Sequence, residues 1–137
     1  MNIVLAIAAL AVSIYAARGF YKAGSFKSKA DKETLLGAGM GWIAKVPFGL
    51  VKLIAWLEIV GAIGVVVAPI GAYVTGFVWS QWIGVAAGAG LSLTMVVAFI
   101  MHAARGEAKY TWKMNLGLFA AAAIATVLQA LVVLPLF

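Results

Sequence analysis

Apolar residues run almost without interruption through four stretches of this chain, at residues 3–20, 51–68, 82–102 and 114–134. Each approaches the roughly 20 mainly apolar residues that a helix needs to cross a bilayer, so the pattern predicts four transmembrane helices. The connection between the first two, residues 21–50, breaks that pattern. Its first half, KAGSFKSKADKE at 22–33, is polar and basic and reads as a loop. Its second half, TLLGAGMGWIAKVP at 34–47, is too short and glycine-rich to span. An interfacial segment fits it, with Trp42 and Lys45 at the headgroup level and Asp31 or Thr34 as a cap. Pro69 and Gly71 are expected to close the second span, and Trp79 and Trp82 to flank the entry to the third. Trp112 and Lys113 flank the start of the fourth, and Pro135 ends it. One echo recurs: YAARGFYK at 15–22 and HAARGEAK at 102–109. In both, Arg falls in the expected last turn of a helix and Gly at the expected C-terminal cap.

Composition narrows the class. Hydrophobic residues make up 66% of the 137 and charged residues only 10%, against about 25% charged in soluble domains. The fold class expected is an all-α, four-helix membrane bundle forming one domain over residues 1–137, with no room for a separate soluble unit. The first run lacks a basic segment before it, because Arg18 and Lys22 follow it, so it reads as an uncleaved helix rather than a signal peptide. The net charge of +6 is a topology signal and does not point to nucleic acid. Arg18, Lys22, Lys27, Lys29, Lys32, Lys45 and Lys52 lie at or between the first two spans, and Arg105, Lys109 and Lys113 between the last two. The positive-inside rule then puts those connections in the cytoplasm of a prokaryotic cell and both termini outside its inner membrane.

The chemistry-bearing residues are few. There is no cysteine, one histidine and four carboxylates, three of them in basic connections. That set makes no metal cage, no thiol relay and no cysteine-ligated cluster, and no cofactor is encoded in it; a quinone or a lipid is compatible with it. The exception is Glu58, in the middle of an apolar run. A charge at the centre of a membrane helix costs about 2.5–3.5 kcal/mol on insertion scales. Its neighbours one turn away, Ile54, Ala55, Gly61 and Ala62, offer no partner. Depth alone nominates Arg18, one turn inside Lys22, with His102, Asn115 and Lys113 near the same end and Tyr15 one turn deeper. Two readings stand: a structural Arg18–Glu58 pair with His102 donating a hydrogen bond, or a polar site for a quinone head group, a proton or another small ligand. Small residues four apart (Ala9, Ser13 and Ala17; Gly84, Gly88 and Ser92; Gly117, Ala121 and Ala125) predict close helix seams, within the chain or between copies.

The segments GFYK at 19–22, WLEIVGAIG at 56–64 and HAARG at 102–106 resemble the DoxX-like family of membrane proteins. The resemblance extends over essentially the whole chain. It implies a four-helix bundle whose characteristic polar positions are Lys22, Glu58 and His102. Relatives of that kind include the DoxD membrane subunit of a thiosulfate:quinone oxidoreductase, and others are linked to redox defence. The function it implies is an accessory or quinone-facing subunit of a membrane redox complex, without catalysis by this chain alone. The alternative is a non-catalytic structural or assembly subunit, working with other membrane subunits or with copies of itself. A small multidrug-type transporter ranks last, since those carry their membrane glutamate in the first helix.

Overall fold

The computed structural model describes residues 2–136. Four long helices, α1 (Ile3–Lys29), α3 (Phe48–Thr75), α4 (Trp79–Ala104) and α5 (Ala108–Val133), form an up-and-down bundle, with no strand among the described residues. Between α1 and α3 lie a short helix, α2 (Lys32–Gly37), and a 3-10 turn (Gly41–Lys45). A second 3-10 turn (Leu134–Leu136) ends the described chain. All four long helices are long and apolar enough to cross a membrane, which makes this a multi-pass membrane protein. The helices close into a ring in which α1 and α4 each pack against both α3 and α5.

The helices outrun the apolar stretches that announce them, because hydropathy ends where lipid ends, whereas a helix ends where its backbone is capped. The expected loop at 22–29 is helical. No proline interrupts it, and α1 stops only at Ala30, where Lys52 of α3 donates to the carbonyls of Lys27, Ser28 and Ala30 at 2.9, 2.8 and 2.7 Å. The second span does not close at Pro69 and Gly71 either. It runs on to Gly76, whose positive φ of 75° ends the helix. The repeated AARG letters have different fates. Gly106 follows α4 with φ +72° as expected, but Gly19 lies inside α1. A Cβ at Gly19 would stand 2.6 Å from Leu118 Cδ2, so there the glycine lets α5 approach α1.

Burial is reversed relative to a soluble bundle. The outside is apolar, with Ile7, Val67, Val97, Phe99 and Ile124 exposed, while Ser13, Glu58, Gln81, Asn115 and Gln129 are buried. Three apolar layers fill the interior between them. The middle one joins Phe20, Ala62, Val65, Leu91, Met95 and Ala122. Ala6, Ala9 and Val132 close the end near the termini. Leu35, Trp42, Ile43 and Val51 close the opposite, basic end. Asp31 starts α2 as its cap, accepting from the Thr34 N–H at 2.7 Å, and the Thr34 hydrogen bonds hold its carboxyl below the usual range. The residue 31–47 segment therefore folds back over the helix ends. Trp42 packs inward there and Lys45 stays exposed.

Candidate functional site

The face of α1 that carries Ala9, Ser13, Ala16, Phe20 and Gly24 is buried at every one of those positions. That three-and-four spacing continues to Lys27, which is the partner of Glu58: Lys27 Nζ donates to Glu58 Oε1. The glutamate is 1% exposed and the lysine 12%. Gly24 brings the two helices together. A Cβ on it would meet the Ala55 carbonyl oxygen at 2.7 Å, Ile59 Cγ1 at 3.0 Å and Glu58 Cβ at 3.1 Å. Glu58 Oε2, the second carboxylate oxygen, is buried and has no hydrogen-bond partner. Asn115 Nδ2 on α5 is also buried without one. Asn115 lies one turn from Leu118, which abuts Gly19, so it approaches α1 at nearly the depth of Gly24. An unmatched acceptor and an unmatched donor thus face the bundle interior toward its basic end.

Arg18, Lys22 and His102 do not gather around Glu58. Arg18 and Lys22 are exposed on the outer side of α1, so the expected Arg18–Glu58 pair is replaced by Lys27–Glu58. Arg18 is two residues, about 200° of helical rotation, away from the buried Phe20 and Ala16. His102 serves the α4–α5 turn: its Nδ1 lies 3.2 Å from Glu107 Oε1, which also accepts from Arg105 Nε at 2.9 Å. The His102 hydrogen bond, supported by Arg105, holds the Glu107 carboxyl below its usual pKa. Arg105 also reaches the residue 31–47 segment, since a Cβ on Gly41 would come within 3.2 Å of its Nη2. Lys27 lies in a stretch whose polar letters predict a loop, which hides it as a partner. Its register on the small-residue face of α1 was the available signal.

A second polar cluster occupies the other half of the bundle. Gln81 Nε2 donates to Gln129 Oε1, and Gln129 Nε2 donates to Ser13 Oγ and to the Val65 carbonyl, each at 2.8 Å. Proline explains the last of these. Pro69 has no N–H, so the carbonyl four residues earlier loses its helical donor, and Gln129 supplies one. Gly84 leaves the room, because a Cβ there would collide with Gln129 Oε1. Gly88 lies against Thr126 in the same way, so the predicted row of small residues on α4 is the α4–α5 seam within the chain. Gln129→Leu should therefore cost about 1–2 kcal/mol by orphaning buried groups. Pro69→Ala restores the missing N–H, and the double variant should lose less than the sum of the two single changes. A double-mutant cycle of unfolding in detergent checks this.

A ring of four membrane-crossing helices around buried polar pairs, with a basic cap at one end, defines a small polytopic membrane bundle. The chain belongs to the DoxX-like family, which matches it over residues 6–126. That span takes in Lys22, Lys27, Glu58 and His102. No curated protein and no solved structure matches the chain.

Proposed function

We propose that this protein is a small accessory subunit of a membrane redox complex, facing the quinone of that complex through its basic end. The host membrane in this reading is a prokaryotic inner membrane, with the basic end in the cytoplasm and both termini outside. The observation that carries it is the buried Glu58 carboxylate with one oxygen on Lys27 and the other without a partner. A buried ion pair kept only for packing tends to have all its hydrogen bonds satisfied; here an acceptor oxygen is left over. Quinones and quinols carry oxygens that alternately accept and donate hydrogen bonds. Glu58 Oε2 suits a hydroxyl of the reduced form, and Asn115 Nδ2 suits a carbonyl of the oxidised form. The apolar middle layer separates Glu58 from the Gln81–Gln129 cluster, so a proton exchanged at Glu58 would pass through the basic end. Electrons would come from a partner subunit, since the chain has no cysteine and a single histidine.

Glu58→Gln tests the reading, because it keeps the side chain's shape and an acceptor for Lys27 while removing the charge. In complexes purified mildly from the native membrane, the variant should keep its abundance and lose roughly 100-fold in quinone-dependent turnover, the scale of a lost acid–base group. Unchanged turnover, or wild-type protein that purifies alone without bound quinone, would sink the proposal. Lower abundance with normal activity per molecule would favour a structural subunit instead.

A further inference from the structure

On the outer side of the bundle, α1 and α3 leave a groove of about 400 Å³. Its walls are Ile14 and Ala17 on α1 and Ala62, Ile63 and Val66 on α3, with Arg18 and Tyr21 along its α1 edge. Ile14, Tyr21 and Ile63 are 51%, 50% and 49% exposed, so the groove opens where a membrane helix meets lipid. Arg18 and Lys22 are four residues apart on α1 and project from one face. Both are exposed, and neither has an ion-pair partner among the described residues.

The depth of these cations is fixed by the packing of α1 on α3. Gly24 lies against Glu58, two residues from Trp56, which is 56% exposed as an interfacial tryptophan would be. Arg18 is six residues from Gly24, about 9 Å further into the bilayer. Arg18 lines the groove, and an arginine at that depth lays its stem along apolar surface while its guanidinium snorkels toward the headgroups, to which Lys22 lies one turn nearer. An unpaired guanidinium at that depth is unfavourable. A phosphate answers it with two parallel hydrogen bonds. The groove runs from the cations toward mid-bilayer, from Tyr21 and Ala62 to Ile14 and Val66, as an acyl chain runs from its own headgroup.

We infer that the α1–α3 groove is a binding site for one anionic phospholipid of the leaflet at the basic end, with its phosphodiester on Arg18 and Lys22 and an acyl chain between Ile14, Ala17, Ile63 and Val66. Two cations without a neighbouring carboxylate select a headgroup with no compensating amine. The site is independent of the quinone reading, which rests on Glu58 inside the bundle.

Native mass spectrometry of the full-length chain, delipidated and then supplied with phosphatidylglycerol or phosphatidylcholine, tests this. Wild-type protein should hold one phosphatidylglycerol far longer than phosphatidylcholine under activation. Arg18→Gln with Lys22→Gln should lower phosphatidylglycerol occupancy roughly 25-fold, at about fivefold per cation near a membrane surface. The control Lys29→Gln with Lys45→Gln removes the same charge at exposed positions away from the groove and should leave occupancy unchanged. Equal loss in the control, equal retention of the two lipids, or no discrete one-to-one adduct would overturn the assignment. Because Arg18 and Lys22 are exposed, their variants should unfold at the wild-type temperature; a large drop would likewise count against a surface lipid site.

Discussion

Lys27→Met should destabilise the bundle by about 3–5 kcal/mol, the usual cost of breaking a buried ion pair from one side. Glu58→Leu should cost less, although it breaks the same contact. The asymmetry follows from exposure. Glu58 is 1% exposed and cannot bring its carboxylate to water, whereas Lys27 is 12% exposed, in the last turn of α1. A lysine stem can swing its ammonium outward once the partner is gone. The double change Lys27→Met with Glu58→Leu should recover most of the loss, because apolar replacement of a whole buried pair is often neutral or better. Unfolding of the four proteins in one detergent, closed as a double-mutant cycle, measures all of this. Equal losses for the two single changes would show that the lysine is as confined as the glutamate, and would contradict the burial on which the argument rests.

The second large effect is expected at Gly24. Even Gly24→Ala should cost about 1–3 kcal/mol, since the added carbon would stand 2.7 Å from the Ala55 carbonyl. That oxygen belongs to the backbone of α3 and cannot step aside as a side-chain tip can. The helices must separate, and the Lys27–Glu58 contact one turn away is strained with them. Gly117→Ala is the matched comparison. It too lies inside a long helix, but nothing stands within 4 Å of its added carbon. That change should be neutral, or stabilising by up to about 1 kcal/mol from helix propensity. Similar losses at both positions would mean that the close approach of α1 to α3 at Gly24 is not what the glycine is for.

These two cases show what the sequence displayed and what it concealed. The four spans and the all-α bundle were legible because lipid imposes a long apolar run on each helix. The ends of those helices were not. Residues 21–29 hold three lysines and two serines, yet α1 continues through them to Lys29, where Lys52 of another helix donates to its terminal carbonyls. The same letters, AARG, end α4 and leave α1 unbroken, because Gly106 takes a left-handed turn while Gly19 receives Leu118. Glu58 was recognisable as the unusual residue. Depth points to Arg18 as its partner, whereas helical phase selects Lys27. The Gln81–Gln129–Ser13 cluster was harder still. Its reason is a carbonyl released by Pro69, an effect that stays silent until Gln129 of α5 is seen to reach across the bundle interior to α3.

Lys52 gives α1 its last turn, and this bears on how the protein is made. Synthesis delivers α1 well before residue 52, so the nascent first helix reaches the membrane without the group that terminates it. Its final turns are free to fray and re-form while the residue 31–47 segment follows. Only when α3 inserts do the carbonyls of Lys27, Ser28 and Ala30 find their donor, and only then does Lys27 meet Glu58. The length of the first helix is thus settled by the second membrane crossing, and the buried pair and the helix end are completed in the same event.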